Sequence, residues 1–125
     1  MPEVTKQPQG DYPRPEAMHH LDLNEHADSL LRELPGHGRR SRSLAREGGV
    51  SLIMIAMEAG DALDAHQAKG AVTVQTVRGH TTLSLEGSSF DLLPGQLVFF
   101  QPGVVHDLRA ALESVVLLTI TGGDE

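Results

Sequence analysis

Residues 60–79, GDALDAHQAKGAVTVQTVRG, are the part of the chain from which the fold is best predicted. The segment begins with a turn-rich approach after Gly60, passes His66, and continues into a stretch of alternating apolar and polar residues up to Gly79. Alternation with a period of two is typical of a strand that buries one face. We therefore expect His66 to lie beside a pocket in a β domain.

The composition restricts the chain to a few classes of protein. Its 125 residues are the length of one ordinary domain, which can bury a core without disulfides. The absence of cysteine excludes thiolate catalysis, zinc ribbons and disulfide frameworks, and nothing requires an oxidising compartment. No apolar run approaches the roughly 20 residues of a membrane helix, and the polar, proline-bearing N-terminus is unlike a signal peptide. We expect a soluble, cytoplasmic protein with no membrane partner.

The charge and the aromatic content argue against a nucleic-acid partner. The formal net charge is -7, whereas binding to phosphates is driven by a cationic surface. One tyrosine, three phenylalanines and no tryptophan leave little from which to build a base-stacking platform. We therefore expect no nucleic-acid binding.

The first part of the chain divides into an arm and a helix. Residues 1–21 carry four prolines among polar residues, so we predict an extended or flexible arm ahead of a single domain formed by residues 22–125. In residues 22–34, leucine and alanine recur at helical spacing behind Asn24, which we take as the N-cap. Pro35 and Gly36 end this short amphipathic helix.

An arginine-rich strand is predicted next. Residues 38–49, GRRSRSLAREGG, place Arg40, Arg42 and Arg46 on one face of that strand. Two interpretations are open: the arginines form an anion-binding stripe, or they are the charges of an edge strand that discourage edge-to-edge aggregation. We favour the second because charged faces are common on edge strands.

Short strands separated by glycine and proline follow along the rest of the chain. Residues 50–57 are almost wholly apolar, which suits a strand buried on both faces. Turns are predicted at residues 86–88 and 94–95. The other predicted strands are residues 80–85, 89–93, 97–100, 104–110 and 114–121. Many short strands at this spacing indicate an antiparallel sandwich or barrel.

Two glycine-framed segments carry the candidate chemistry. The first is residues 60–79 with His66, and the second is residues 95–110, GQLVFFQPGVVHDLRA, with His106. Together they resemble the two motifs of the cupin superfamily, G-x5-H-x-H-x3-E-x6-G and G-x5-P-x-G-x2-H-x3-N. On this basis residues 50–121 are identified as the core of a small RmlC-like cupin. The resemblance implies an all-β fold, the double-stranded β-helix or jelly-roll barrel, here with one short N-terminal helix.

The metal-ligand set of the family is incomplete in this chain. In metal-binding cupins two histidines and a glutamate of the first motif, with the histidine of the second, hold one divalent ion. Here His66 and His106 match the first and last ligands, whereas Ala68 and Val72 stand at the other two positions. Protein metal sites normally use at least three side-chain ligands, so two imidazoles predict at most a weakly bound divalent transition metal. His80 lies too far along the strand to replace a ligand.

Three functions remain open. The preferred one is a small-molecule-binding cupin, metal-poor or metal-free, in which His66 and His106 are the polar contacts of the barrel pocket. The apolar lining predicted for that pocket consists of Met54, Val72, Val74 and Phe99. The alternatives are a metal-dependent enzyme of the dioxygenase or isomerase type with an incomplete ligand set, and a structural or interaction module without a working pocket. The sequence identifies no catalytic residue.

The resemblance also bears on partners. Cupins of this size are more often homodimers than monomers, so we expect a homodimer in which the N-terminal arm or the strand of residues 39–46 could take part. Some transcription regulators join a cupin sensor to a helix-turn-helix. Because this chain stops a few residues after its last predicted strand, we expect no DNA-binding element in it.

Overall fold

A computed structural model describes residues 18–66 and 69–122, with the side chains of residues 64–66 outside that description. Within these ranges the chain forms one helix and nine strands. The elements are α1 (Leu23–Glu33), β1 (Arg39–Glu47), β2 (Val50–Met57), β3 (Ala62–His66), β4 (Val72–Arg78), β5 (Thr81–Leu85), β6 (Ser88–Leu92), β7 (Leu97–Phe100), β8 (His106–Ala110) and β9 (Ser114–Thr121). The arm predicted for residues 1–21 falls mainly on residues 1–17, which lie outside the described residues.

The strands form two antiparallel sheets, as the sequence predicts. One sheet has five strands in the order β1-β2-β9-β4-β7, and the other has four in the order β3-β8-β5-β6. Consecutive strands often lie in different sheets, so the chain crosses repeatedly between them, as in a jelly roll. The main core contains residues of both sheets, for example Val74 and Phe100 from the larger and Leu83 and Leu108 from the smaller. The predicted all-β class, with one short N-terminal helix, is confirmed.

A second apolar cluster lies on the outward side of the five-stranded sheet. Helix α1 buries Leu30 and Leu34 against Met54 of β2 and Val115 of β9. Ile55, the neighbour of Met54 along β2, packs into the main core. Strand β2 is therefore apolar on both sides because the barrel interior covers one face and α1 covers the other.

The N-cap of α1 is Asp22, so the assignment of Asn24 as the cap is wrong. Asp22 has extended backbone angles, and its carboxylate accepts a hydrogen bond of 3.1 Å from the backbone N–H of Glu25. This is the geometry of an N-cap, in which a side-chain oxygen satisfies a free N–H of the first turn. Asn24 already lies within the helix, and its side-chain oxygen accepts from Arg78 at 3.3 Å.

The two glycines that frame the first motif are required for different reasons. Gly60 and Gly79 both have positive φ, +89° and +86°, which side-chain-bearing residues rarely adopt. Gly60 has open space where a Cβ would stand. At Gly79 a Cβ would meet the carbonyl oxygen of Glu113 and the hydroxyl of Ser114. Gly79 therefore allows the end of β4 to approach the start of β9 closely.

Strand β1 lies at an edge of the five-stranded sheet, as the favoured interpretation of its arginines expects. These arginines are engaged within the chain. Arg39 donates to Asp61 at 3.0 and 3.1 Å, Arg42 donates to Glu33 at 3.1 Å, and Arg46 donates to the hydroxyl of Ser51 at 3.2 Å. These contacts fix the edge strand to its neighbours, and the Nε of Arg40 lies 3.8 Å from a carboxylate oxygen of Glu33.

Candidate functional site: the barrel cavity at His106

The two histidines predicted from the motifs occupy paired positions in the fold. Strands β3 and β8 are antiparallel neighbours, and the backbone register sets His66 directly opposite His106. The register of this pair of strands shifts between Leu63 and His66, which marks a bulge or irregularity in β3. The fold thus brings together two residues that are 40 positions apart in the sequence.

The imidazole of His106 is held firmly inside the barrel. The residue is only 4% exposed, and its ring stacks on that of Phe100 with centroids 4.3 Å apart and planes 11° from parallel. Its Nδ1 lies 3.2 Å from the carbonyl oxygen of Val104. Because a carbonyl only accepts, Nδ1–H is the donor in this contact, and in the neutral ring Nε2 is then an acceptor.

A small cavity lies beside this ring, between the two sheets. Its volume is about 50 Å³, and among the described side chains its lining is apolar except for His106. The apolar lining residues are Leu63, Val72, Val74, Leu108, Leu118 and Ile120. A site of this kind offers one oriented polar contact within an otherwise hydrophobic enclosure, which is the usual design of small-molecule pockets.

Three of the residues predicted from the sequence to line the pocket do so: Val72, Val74 and His106. Met54 does not, because it lies on the opposite face of β2, completely buried under α1. Phe99 does not either, because it is 66% exposed on the outward face of β7, while its neighbour Phe100 points into the core. Both corrections have one cause: successive strand residues point to opposite faces, and the sequence did not show which face was inward.

The sequence prediction missed four of the lining residues. Leu108 alternates in phase with His106 along β8, so this phase could have identified it. Leu118 and Ile120 alternate with Thr119 and Thr121 at the end of β9, so this alternation could have identified them. Leu63 precedes the irregularity in β3, where counting in steps of two fails.

The described side chains do not fit a stable metal site at this cavity. Among them, no group of three histidine, aspartate or glutamate residues lies close enough to hold a metal ion. Val72, at the position where the cupin motif has glutamate, lines the cavity with an apolar side chain. A divalent transition metal needs nitrogen, oxygen or sulfur ligands, and of the lining residues whose side chains the structure describes, His106 alone offers such an atom.

The other described histidines lie elsewhere in the molecule. The Nε2 of His80 is 3.3 Å from a carboxylate oxygen of Asp91, and that of His19 is 3.2 Å from Glu47. His26 accepts from Arg42 beside an open polar groove of about 460 Å³ between α1 and β1. Arg42 also donates to Ser29 and Glu33, so Arg42 joins two of the other residues that line this groove, His26 and Ser29.

This fold and this site define a small cupin domain. The family model of the AraC-like ligand binding domain matches residues 48–120, more than half of the chain. The chain belongs to this family. The recognition of a cupin from the two motifs is thereby confirmed.

Solved structures of cupins resemble the chain closely in shape. It is similar to a cupin superfamily protein from Desulfitobacterium hafniense, with a TM-score of 0.65 and 12% identity over 96% of this chain and 98% of that one. An RmlC-like cupin from Shewanella frigidimarina has a TM-score of 0.66 and 19% identity, and the match covers 73% of this chain and 82% of that one. A cupin-2 domain containing protein from the same organism has a TM-score of 0.65 and 14% identity, and the match covers 81% of this chain and 93% of that one. At these low sequence identities, the similarity shows that the proteins share a fold.

No curated protein matches the chain. Among the described residues, no helix is long and apolar enough to cross a membrane.

Proposed function

We propose that this chain binds a small, mostly apolar molecule in the barrel cavity, without needing a metal, and that His106 is the main polar contact. The observation that carries the proposal is the cavity itself, a hydrophobic enclosure with one buried imidazole on its wall. The match to a family described as ligand-binding supports the same function.

The chemistry of the cavity restricts the ligand. Among the described residues of the lining, His106 is the group that can form a hydrogen bond with a hydroxyl or N–H of the ligand. The volume of the cavity, about 50 Å³, is only somewhat larger than the roughly 30 Å³ that one water molecule occupies in the liquid. We therefore expect a compact ligand with an apolar body and one donor, or a larger one that displaces side chains of the lining.

The paired register supports a second polar contact. Opposite positions of an antiparallel ladder belong to the same face of the sheet, and His66 is opposite His106. We propose that His66 shares the ligand with His106. A shared role is what the two motifs led us to expect for this pair.

The proposal accounts for the cavity better than either alternative. A structural module would have no use for a cavity beside a buried imidazole, because cavities reduce the stability of a core. A metal-dependent enzyme would need ligands that the described part of the lining lacks, with Val72 in place of a glutamate. Metal analysis of freshly purified protein tests this point: we expect much less than one equivalent, and near-stoichiometric metal that is lost in His106→Ala would contradict the proposal.

Binding can be tested with two probes of suitable size, xenon and 2-propanol. Xenon needs only apolar contacts, and 2-propanol adds one hydroxyl. We expect both to shift the methyl NMR signals of the cavity residues Val74 and Leu118. Leu118→Phe should abolish these shifts by filling the cavity, whereas the control Leu112→Phe, at a position 56% exposed, should retain them. Shifts that persist in Leu118→Phe would show that the probes bind elsewhere.

A further inference from the structure

A polar groove lies between α1 and β1, on the outward side of the five-stranded sheet, and we call it the α1 groove. Its volume is about 460 Å³, within the range of about 300–1,000 Å³ that is usual for small-molecule sites. It is separate from the cavity at His106, which lies between the two sheets. All the residues that line the α1 groove are polar or charged: Glu25, His26, Asp28, Ser29, Arg32 and Arg42.

Arg42 of β1 fixes one side of the α1 groove. Its Nη2 donates to the hydroxyl oxygen of Ser29 at 3.0 Å and to Glu33 at 3.1 Å. Its Nη1 lies 3.0 Å from Nδ1 of His26, which accepts the hydrogen bond because a guanidinium only donates. Since the Ser29 oxygen accepts from Arg42, its own O–H can donate to a ligand. The groove therefore has a pre-arranged polar side.

The side chains of Glu25 and Arg32 have no hydrogen-bond or ion-pair partner among the described residues. They are seven positions apart on α1, so they share one side of the helix and are separated by on the order of 10 Å along its axis. Ser29 lies between them on that side. The groove thus offers an unpaired carboxylate towards one end and an unpaired guanidinium towards the other, and each can form charge-assisted hydrogen bonds with a ligand.

The charges of the α1 groove favour a ligand that carries both signs. Two carboxylates, Glu25 and Asp28, balance two guanidiniums, Arg32 and Arg42, so a simple anion or cation meets no excess of opposite charge. Asp28 already pairs with Arg78 at 2.9 Å, which leaves Glu25 as the unpaired carboxylate. The formal net charge of -7 opposes a simple anion further. A zwitterion can pair with both ends of the groove at once.

We infer that the α1 groove is a second binding site, which takes a small zwitterion whose two charges are several ångströms apart, as in an ω-amino acid. Arg32 binds the carboxylate of the ligand, and the Ser29 hydroxyl is the second donor to it. Glu25 binds the ammonium group. Because exposed ion pairs are weak, we expect a dissociation constant on the order of 1 mM. This inference is independent of the function proposed for the cavity at His106.

Three probes with the same carbon chain test the inference: 6-aminohexanoate, hexanoate and hexylammonium. The first carries both charges, and each of the others carries one. Titrations followed by the backbone-amide NMR signals give the affinity of the protein for each probe. We expect 6-aminohexanoate to shift the signals of Glu25, Ser29 and Arg32, and to bind at least about threefold more tightly than either of the other probes.

Variants that remove one charge identify the two ends of the site. Arg32→Gln should weaken the binding of 6-aminohexanoate and hexanoate at least about threefold and leave that of hexylammonium unchanged. Glu25→Gln should weaken the binding of 6-aminohexanoate and hexylammonium and leave that of hexanoate unchanged. The matched controls Arg109→Gln and Glu86→Gln remove the same charges at exposed positions of the four-stranded sheet, and they should retain all three affinities.

Three results would overturn the inference. Absence of binding, or equal affinities for the three probes, would mean that Glu25 and Arg32 are solvated charges of α1. Equal losses in the two control variants would indicate attraction by the charge of the whole protein. If Arg32→Gln weakens the binding of all three probes, Arg32→Lys decides, because it keeps the charge: normal binding of 6-aminohexanoate to this variant supports the site, and continued loss excludes it.

Discussion

The ring of His106 lies parallel to that of Phe100 to within 11°, with the two centroids 4.3 Å apart. Phe100 ends β7 in the five-stranded sheet, and His106 begins β8 in the four-stranded sheet. The stacked rings therefore join the two sheets at the wall of the cavity. His106 is in this way both part of the core and the polar group of the proposed site.

Replacing His106 should separate these two roles. His106→Ala removes a buried ring and should cost about 2–4 kcal/mol in the free energy of unfolding, as other large-to-small core substitutions do. His106→Phe keeps a ring of similar size and should cost less than about 1.5 kcal/mol. Urea denaturation measures both values. Equal losses in the two variants would mean that ring packing is not what His106 contributes to stability.

The two framing glycines should differ in their sensitivity to alanine. Gly60→Ala adds a methyl group in open space and should cost about 1–2 kcal/mol, the penalty of a positive φ. Gly79→Ala adds contacts with Glu113 and Ser114 to that penalty and should cost at least about 1 kcal/mol more. Thermal unfolding of the two variants, side by side, provides the comparison. A Gly79→Ala protein as stable as Gly60→Ala would contradict the close approach of β4 and β9.

The sequence predicts Met54 and Phe99 in the cavity lining, but neither residue lies there. Their replacement by alanine should have very different effects on the free energy of unfolding. Met54→Ala leaves a hole under α1 and should destabilise the protein by about 2–5 kcal/mol. Phe99→Ala removes an exposed side chain and should change the stability of the monomer by about 0.5 kcal/mol or less. Denaturation at a protein concentration too low for association measures both. A large loss in Phe99→Ala under these conditions would contradict its outward position.

The hairpin turn between β5 and β6 can be improved. Leu85 pairs with Ser88, so Glu86 and Gly87 form a two-residue turn in which both have positive φ, 49° and 83°. Such turns favour asparagine followed by glycine, and glutamate is a poor fit at the first position. Glu86→Asn should raise the free energy of unfolding by about 0.5 kcal/mol. A melting temperature below that of the wild type would show that the Glu86 side chain stabilises the turn in another way.

The fold could be predicted from the sequence because its signals are local. Gly87 and Gly95 have positive φ and lie in turns that the sequence predicts, and Gly60 and Gly79, also with positive φ, frame the first motif. The two motifs predict that His66 and His106 belong to one pocket, and the register sets these residues opposite each other on neighbouring strands. A turn needs particular residues at particular positions, so it remains visible in one sequence.

The lining of the cavity could be predicted only in part. In β2, both Met54 and its neighbour Ile55 are apolar, because α1 covers one face and the barrel interior the other. The alternation that would reveal the inward face is therefore absent. In β7 the two phenylalanines differ by one position, and only the tertiary fold shows that Phe100 is the inward one.

The central claim, that His106 is the polar contact of a ligand-binding cavity, is tested most directly by comparing the two probes on wild type and His106→Phe. Methyl NMR titration gives the affinity of each probe for each of the two proteins. A hydrogen bond contributes about 0.5–1.5 kcal/mol, so 2-propanol should bind His106→Phe about two- to twelvefold more weakly, while the affinity for xenon should stay unchanged. Unchanged binding of 2-propanol, or an equal loss for both probes, would contradict the role assigned to His106.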